Sequence, residues 1–192
     1  MVIDPNTAGK TVTPPNFMAH VVFQTNSLKP MAEFYKKFLN AHASYENDFA
    51  CFLTYDEEHH RVAIVQIPSL GPRDPKAAGL QHMAFTYNSL EDFANAYLQR
   101  KANGIEPVWC VNHGPTTSMY YDDPDGNRTE IQVDNFDTVQ GASEFMASKQ
   151  FNENPIGTDF DPNELIRRLN SGEDHASIKK RVEIGPRALP VH

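Results

Sequence analysis

The chain has 192 residues, of which 40% are hydrophobic and 22% are charged, so it is long enough to bury a substantial core in one or two domains. Lys and Arg number 17 against 25 Asp and Glu, a formal charge of −8, and this acidic balance argues against nucleic-acid binding, which needs clustered cations. No apolar run approaches the length of a membrane span, and the first residues lack the apolar segment of a secretory signal. Cys51 and Cys110 form no CxxC pair. We therefore expect a reduced, cytoplasmic protein.

The most informative feature of the sequence is an internal repeat. Residues 1–16 are polar and rich in proline, which predicts a flexible arm. Beyond them, the nine residues from His20 (HVVFQTNSL) recur from His82 (HMAFTYNSL). The same offset relates Ala32 and Tyr35 to Ala94 and Tyr97. Two copies of one pattern predict a pair of related modules rather than a long array.

Each copy predicts the same order of elements. A strand that carries the histidine runs into a helix that Ser27 or Ser89 caps, with Ser89 and Asp92 as a capping box. Apolar residues at helical spacing define the buried face of each helix: Leu28, Met31, Tyr35 and Phe38, then Leu90, Phe93, Tyr97 and Leu98. Three further strands are predicted near 43–46, 50–54 and 61–67, and again near 106–111, 118–122 and 128–133. We therefore predict an α+β fold of two βαβββ modules, the first module at 17–68 and the second at 79–135.

Residues 136–192 belong to neither repeat and form a C-terminal extension. Helices are predicted over 142–150 and over 162–169, the latter capped by Asp161. This segment could pack over the sheet, close a site or bridge two subunits, and the sequence leaves these alternatives open.

Three residues are candidate metal ligands. His20 and His82 occupy the same position in the two modules, so a pseudo-twofold axis between the modules would bring them together. Glu130 lies in the last predicted strand, on the face opposite Ile131. Two imidazoles and one carboxylate form the facial triad that suits Fe(II) and leaves three coordination positions open. Either histidine alone would be read as an ordinary strand residue, but the repeat favours a metal site.

The segment from Val111 to Glu130 (VNHGPTTSMYYDDPDGNRTE) resembles the signature of type I extradiol ring-cleavage dioxygenases. Residues 17–135 as a whole resemble the vicinal oxygen chelate superfamily, whose unit is βαβββ, in its small one-domain form. The resemblance implies that His20, His82 and Glu130 bind Fe(II), with Mn(II) possible because the same ligands suit both ions. It also implies that the enzyme inserts both atoms of O₂ into a small aromatic vicinal diol and opens its ring.

The resemblance implies three further active-site residues. The stretch from Asp56 to Ile64 is similar to the one in which extradiol enzymes carry an active-site histidine, and His60 is the better match of its two histidines. An imidazole there can take a proton from a catechol and return it near neutral pH. His113 and Tyr120 resemble the pair that donates hydrogen bonds to the diol. The alternatives are an exposed turn for His60 and a cross-strand packing role for Tyr120.

Two other functions remain open from the sequence. One is a metal-dependent isomerase or lyase of the same superfamily, of epimerase or glyoxalase type, with Gln66 as a fourth ligand. The other is a non-catalytic resistance protein that binds a small molecule, although such members commonly lack the triad. A homo-oligomer is possible in each case.

Overall fold

A computed structural model describes residues 12–188. The strands in this part of the chain are β1 (Val21–Thr25), β2 (His42–Glu46), β3 (Ala50–Thr54), β4 (Val62–Gln66), β5 (His82–Tyr87), β6 (Trp109–Asn112), β7 (Thr116–Asp122), β8 (Arg128–Asp134) and β9 (Thr158–Asp159). The helices are α1 (Leu28–Leu39), α2 (Leu90–Ala102), α3 (Val139–Met146), α4 (Lys149–Glu153), α5 (Pro162–Asn170) and α6 (His175–Lys179). Residues 1–11 of the predicted arm lie outside the described residues, and residues 12–16 are exposed and irregular. No helix between residues 12 and 188 is long and apolar enough to cross a membrane.

The strands form two separate sheets, one for each module. The first sheet has the order β1-β4-β3-β2 and the second the order β5-β8-β7-β6-β9. In each sheet the first strand of the module pairs in parallel with the last, and the other pairs are antiparallel. The predicted α+β fold with two βαβββ modules is therefore confirmed. Strand β1 begins just after His20 and strand β5 begins with His82, and each lies at an edge of its sheet.

The two module helices begin in different ways. At α2, Ser89 accepts a hydrogen bond from the backbone N–H of Asp92, as the capping box predicts. At α1, the Ser27 side chain makes no capping bond. Gln66 caps this helix instead, because its Oε1 accepts from the N–H of Leu28 at 2.8 Å while its Nε2 donates to the Asn26 carbonyl at 2.9 Å. The side chain of Gln66 is thus engaged in the helix start.

Both helices bury the predicted apolar face, with one exception. Leu98 was expected to be buried but is 44% exposed, because it lies on the solvent side of α2. The two hydrophobic clusters of the modules are joined by three side chains that pack against both, namely Phe34, Leu39 and Phe85.

Helix α1 also makes polar contacts with the second module. The buried Tyr35 hydroxyl donates to Asp123 at 2.9 Å, and the buried Arg100 guanidinium donates to the carbonyl of Phe38 near the end of α1. The helix-covered faces of the two sheets therefore meet a common core. Their opposite faces point away from it.

The C-terminal extension packs on the second module. The helical structure predicted over 142–150 is present as two helices. Helix α3 ends at Met146, and Ser148 caps α4 by accepting from the N–H of Phe151. The helix predicted over 162–169 is α5, with Asp161 as its N-cap. Strand β9 and helix α6 were not predicted. β9 adds to the edge of the second sheet beside β6, and Leu165 and Ile178 join its core.

Candidate metal centre and active site

The open face of the second sheet carries a histidine–carboxylate pair. His82 at the start of β5 pairs in register with Arg128, two residues from Glu130, so both side chains lie on one face. His82 Nε2 and Glu130 Oε2 are 2.9 Å apart, and the other imidazole nitrogen, Nδ1, contacts the Oε1 atom of Gln81. Burial raises the pKa of Glu130, but hydrogen bonds from His82 and Ser118 outweigh it, and the pKa lies below its usual range. The carboxylate is therefore ionised at neutral pH although it is 3% exposed.

His113 and Tyr120 lie beside this pair. His113 Nδ1 is 2.6 Å from the carbonyl oxygen of Ile156, and because a carbonyl only accepts, the proton must be on Nδ1. Burial lowers the pKa of His113, so the imidazole is neutral and its Nε2 accepts from the Tyr120 hydroxyl at 2.9 Å. The resemblance implied two donors to the diol. In this structure Tyr120 donates to His113, and the role of the pair toward the diol stays a prediction.

Two neighbours of Tyr120 complete this cluster, and sequence reasoning did not identify them. Trp109 is the register partner of Tyr120 and stacks on it with ring centroids 4.9 Å apart. Ser118 lies two residues before Tyr120 on the same face and bonds to Glu130. Strand alternation from Tyr120 would have indicated Ser118, whereas Trp109 follows only from the register of β6 and β7.

The first sheet carries a second histidine cluster. The rings of His20 and His60 have centroids 4.4 Å apart, and His59 contacts His60 in the same way. His60 also stacks on Phe52, with ring centroids 5.1 Å apart. Burial, together with the His20 and His59 rings, lowers the pKa of His60. A neutral imidazole thus lies directly beside His20, and its role as a proton acceptor stays a prediction.

One chain does not assemble the predicted triad. Among residues 12–188, no three His, Cys, Asp or Glu side chains converge closely enough to hold a metal ion. His82 and Glu130 fit a cation by themselves: nitrogen and oxygen ligands bind first-row divalent ions at about 2.0–2.2 Å, so two of them at right angles are about 3 Å apart. His20 belongs to the other cluster. The ligand assignment therefore remains a prediction, with two ligands together and the third on the other module.

The comparisons with known proteins place the chain in a family. Residues 17–131 match the family model described as the Glyoxalase/Bleomycin resistance protein/Dioxygenase superfamily. The chain belongs to this superfamily. A solved glyoxylase/bleomycin resistance protein/dioxygenase domain from Frankia sp. EAN1pec has a TM-score of 0.53 and 15% identity, covering 63% of this chain and 99% of that one. At that identity the likeness shows the fold.

Two curated relatives from Rhodococcus globerulus are more similar in sequence. Biphenyl-2,3-diol 1,2-dioxygenase 2 is 45% identical over 163 residues, 84% of this chain and 85% of the relative. Biphenyl-2,3-diol 1,2-dioxygenase 3 is 44% identical over 173 residues, 89% of this chain and 90% of the relative. These relatives confirm the prediction of an extradiol dioxygenase, and hence of an enzyme.

Proposed function

We propose that this chain is an Fe(II)-dependent extradiol dioxygenase that opens the ring of an aryl-substituted vicinal diol. The observation that carries the proposal is the cluster on the second sheet, in which the pair of His82 and the buried Glu130 adjoins the hydrogen-bonded His113 and Tyr120. The relatives are named for biphenyl-2,3-diol, which supports this substrate class. In this chemistry both atoms of O₂ enter the ring-opened product.

The side chains have distinct roles in this proposal. His82 and Glu130 would hold the ion, which supplies open coordination positions and the redox chemistry between diol and O₂. Burial and the Glu130 charge raise the pKa of Tyr120, so its hydroxyl stays protonated and donates to a diol oxygen. His113 accepts a diol proton at Nε2, which requires the Tyr120 proton to turn toward the substrate.

We infer that two copies of the chain share each site. His20 and the nearby His60 would come from the first module of one copy, and His82 and Glu130 from the second module of the other. A twofold axis would then complete two equal sites. The open face of the first sheet supports such a contact, because Val22 is 51% exposed there, and Tyr45 continues the aromatic row from Phe52 with ring centroids 5.4 Å apart.

The activity is tested by anaerobic reconstitution with Fe(II), and in parallel with Mn(II), followed by O₂ uptake and near-ultraviolet absorbance with biphenyl-2,3-diol and unsubstituted catechol. We expect equimolar O₂ consumption, a new yellow product and a preference for the aryl-substituted diol. Absence of O₂ uptake by protein that holds the metal stoichiometrically would contradict the proposed function. Glu130→Gln should lose the metal and remain folded, because the carboxylate supplies charge to the ion.

The shared site is tested by mixing two inactive variants during co-expression. His20→Ala with Glu130→Gln should recover about a quarter of wild-type activity, because half of the dimers are mixed and each holds one intact site. The matched control mixes His82→Ala with Glu130→Gln, which alter the same half-site and should give no recovery. If His20 served its own chain, the first mixture would stay inactive too.

The isomerase alternative receives no support from the geometry. It required Gln66 as a fourth ligand, and the Gln66 amide is hydrogen-bonded to the backbone at the start of α1. We therefore propose the dioxygenase alone.

A further inference from the structure

The C-terminal extension touches the imidazole of His113 directly. The carbonyl of Ile156 accepts from Nδ1 at 2.6 Å and is the group that leaves Nε2 free to face Tyr120. Without this acceptor, a neutral imidazole can carry its proton on either nitrogen. A proton on Nε2 would replace the acceptor beside Tyr120 with a donor.

The turn that presents Ile156 is built to approach His113 closely. The buried Asn154 accepts from the N–H groups of Ile156 and Gly157 through its side-chain oxygen, at 3.2 and 2.8 Å. Gly157 has a φ of +101°, and a Cβ there would overlap the backbone of Asn112 and His113. Only glycine allows this backbone conformation and this approach.

Arg181 ties the turn to the backbone of His113. Its guanidinium donates to the carbonyl of His113 at 3.0 Å, to that of Asn154 at 2.7 Å and to that of Gln150 at 3.1 Å, and it pairs with Glu183 at 2.8 Å. The side chain is 1% exposed. A buried guanidinium that bridges two segments orders both of them, because removing it takes a donor away from the carbonyls of His113 and Asn154.

A third contact encloses the same loop from the other side. Gly114 has a φ of +104°, and the ring of Phe145 occupies the space that its Cβ would fill. The Arg181 guanidinium lies over the same ring at 5.1 Å from its centroid. The loop that carries His113 is therefore held between α3 on one side and the 154–157 turn on the other.

The comparisons separate this extension from the shared fold. The alignment with biphenyl-2,3-diol 1,2-dioxygenase 2 spans 163 residues, more than residues 1–135 contain, so it includes part of the extension. The family model, by contrast, matches residues 17–131 and ends before the extension begins. Part of the extension is thus aligned with the dioxygenase relative, although it lies beyond the family domain.

We propose that the extension is a working part of the active site, in which Arg181 and the 154–157 turn are positioning elements that hold His113 in the Nδ1–H tautomer with Nε2 directed at Tyr120. This inference rests on the proposed function for its catalytic consequence. Its structural content, the tautomer and what fixes it, does not depend on turnover.

The tautomer is measured by long-range ¹H–¹⁵N spectra of the full chain, metal-free and loaded with diamagnetic Zn(II). The eight histidines are assigned with the help of His113→Gln. We expect wild-type His113 to be protonated on Nδ1. A wild-type signal protonated on Nε2 overturns the inference.

Variants connect the tautomer with turnover. Arg181→Met should mix the two tautomers and lower kcat about 10- to 100-fold, the usual cost of losing an outer partner of a site residue, with KM and bound metal changing much less. Arg181→Lys should recover part of the loss, because the ammonium keeps the charge and some of the bonds. Gly157→Ala provides a second perturbation of the same contact.

Arg168→Met is the matched control, because Arg168 pairs with Glu173 and donates to the carbonyl of Ser177 within the same extension, away from His113. It should leave kcat within about twofold of wild type. An equal loss in this control, or a wild-type tautomer and kcat in Arg181→Met, overturns the inference. If the wild-type enzyme turns over no diol, the proposed function fails while the tautomer measurement still decides the structural claim.

Discussion

Replacing Tyr35 with phenylalanine tests how the two modules are docked. Tyr35 is fully buried in α1, and its hydroxyl donates to Asp123 at 2.9 Å in the turn between β7 and β8. Asp123 is also buried, and it keeps hydrogen bonds from Asn127 and Asp125 when the tyrosine hydroxyl is removed. The change therefore removes the bond to Asp123, a longer contact with the Thr129 hydroxyl at 3.4 Å, and one oxygen atom from the core.

The expected loss of unfolding free energy is about 1–3 kcal/mol, the range for a buried hydrogen bond to an ionisable partner. For a chain of this length each kcal/mol lowers Tm by about 2–4 °C, so the melting temperature should fall by about 2–12 °C. Tyr121→Phe is the matched control. It is equally buried, but its hydroxyl bonds to the sulfur of Met119 at 3.7 Å, which is a weak acceptor. Its removal should cost less than about 0.5 kcal/mol.

Urea unfolding followed by circular dichroism measures both variants, at one protein concentration because an oligomer's stability depends on it. We expect a lower midpoint for Tyr35→Phe with an unchanged slope. If the two variants lose the same stability, α1 is not docked on the β7–β8 turn through this bond. The separation of His20 from His82 and Glu130 within one chain would then lose its structural basis.

Three further outcomes follow from particular contacts. Burial raises the pKa of Cys51 to about 11 and that of Cys110 to about 12, so about one thiol in a thousand or fewer is ionised at pH 8. Iodoacetamide should therefore label both cysteines slowly in the native protein and quickly in urea. Fast labelling of the native protein would contradict their burial. Gln66→Met should cost about 1 kcal/mol of stability through the lost cap and leave metal content unchanged, whereas loss of metal would revive the fourth-ligand role. His60→Phe should retain metal and diol binding but lower kcat about 10²- to 10⁴-fold, as expected for a lost general base. Quenching of the single tryptophan can follow diol binding. Unchanged turnover would make His60 a turn residue.

The local elements of both modules could be predicted because their signals are local. The spacing of Met31, Tyr35 and Phe38 defines the buried face of α1, and Ser89 with Asp92 defines the start of α2. Leu98 was misassigned because four apolar residues at helical spacing make a wider stripe than the core requires.

Sequence patterns could not predict the long-range contacts that position the site residues. Gln66 caps a helix that begins 38 residues earlier in the chain, and Arg181 binds a carbonyl 68 residues away. The break at Ser148 is a cap that competes with helix continuation, and the periodicity of its neighbours does not indicate it. Such long-range partners depend on which surfaces meet, and residue spacing carries no information about that.

The sequence by itself determined the two βαβββ modules, because repetition, alternation and capping are properties of neighbouring residues, and its resemblance to the extradiol signature indicated the class of enzyme. Only the tertiary structure decided which faces of the modules are covered. Burial of Phe34 and Phe85 in a joint core favours packing the helix-covered faces together, since apolar area removed from water stabilises the chain. That packing turns the open faces outward, with His20 on one and His82 and Glu130 on the other.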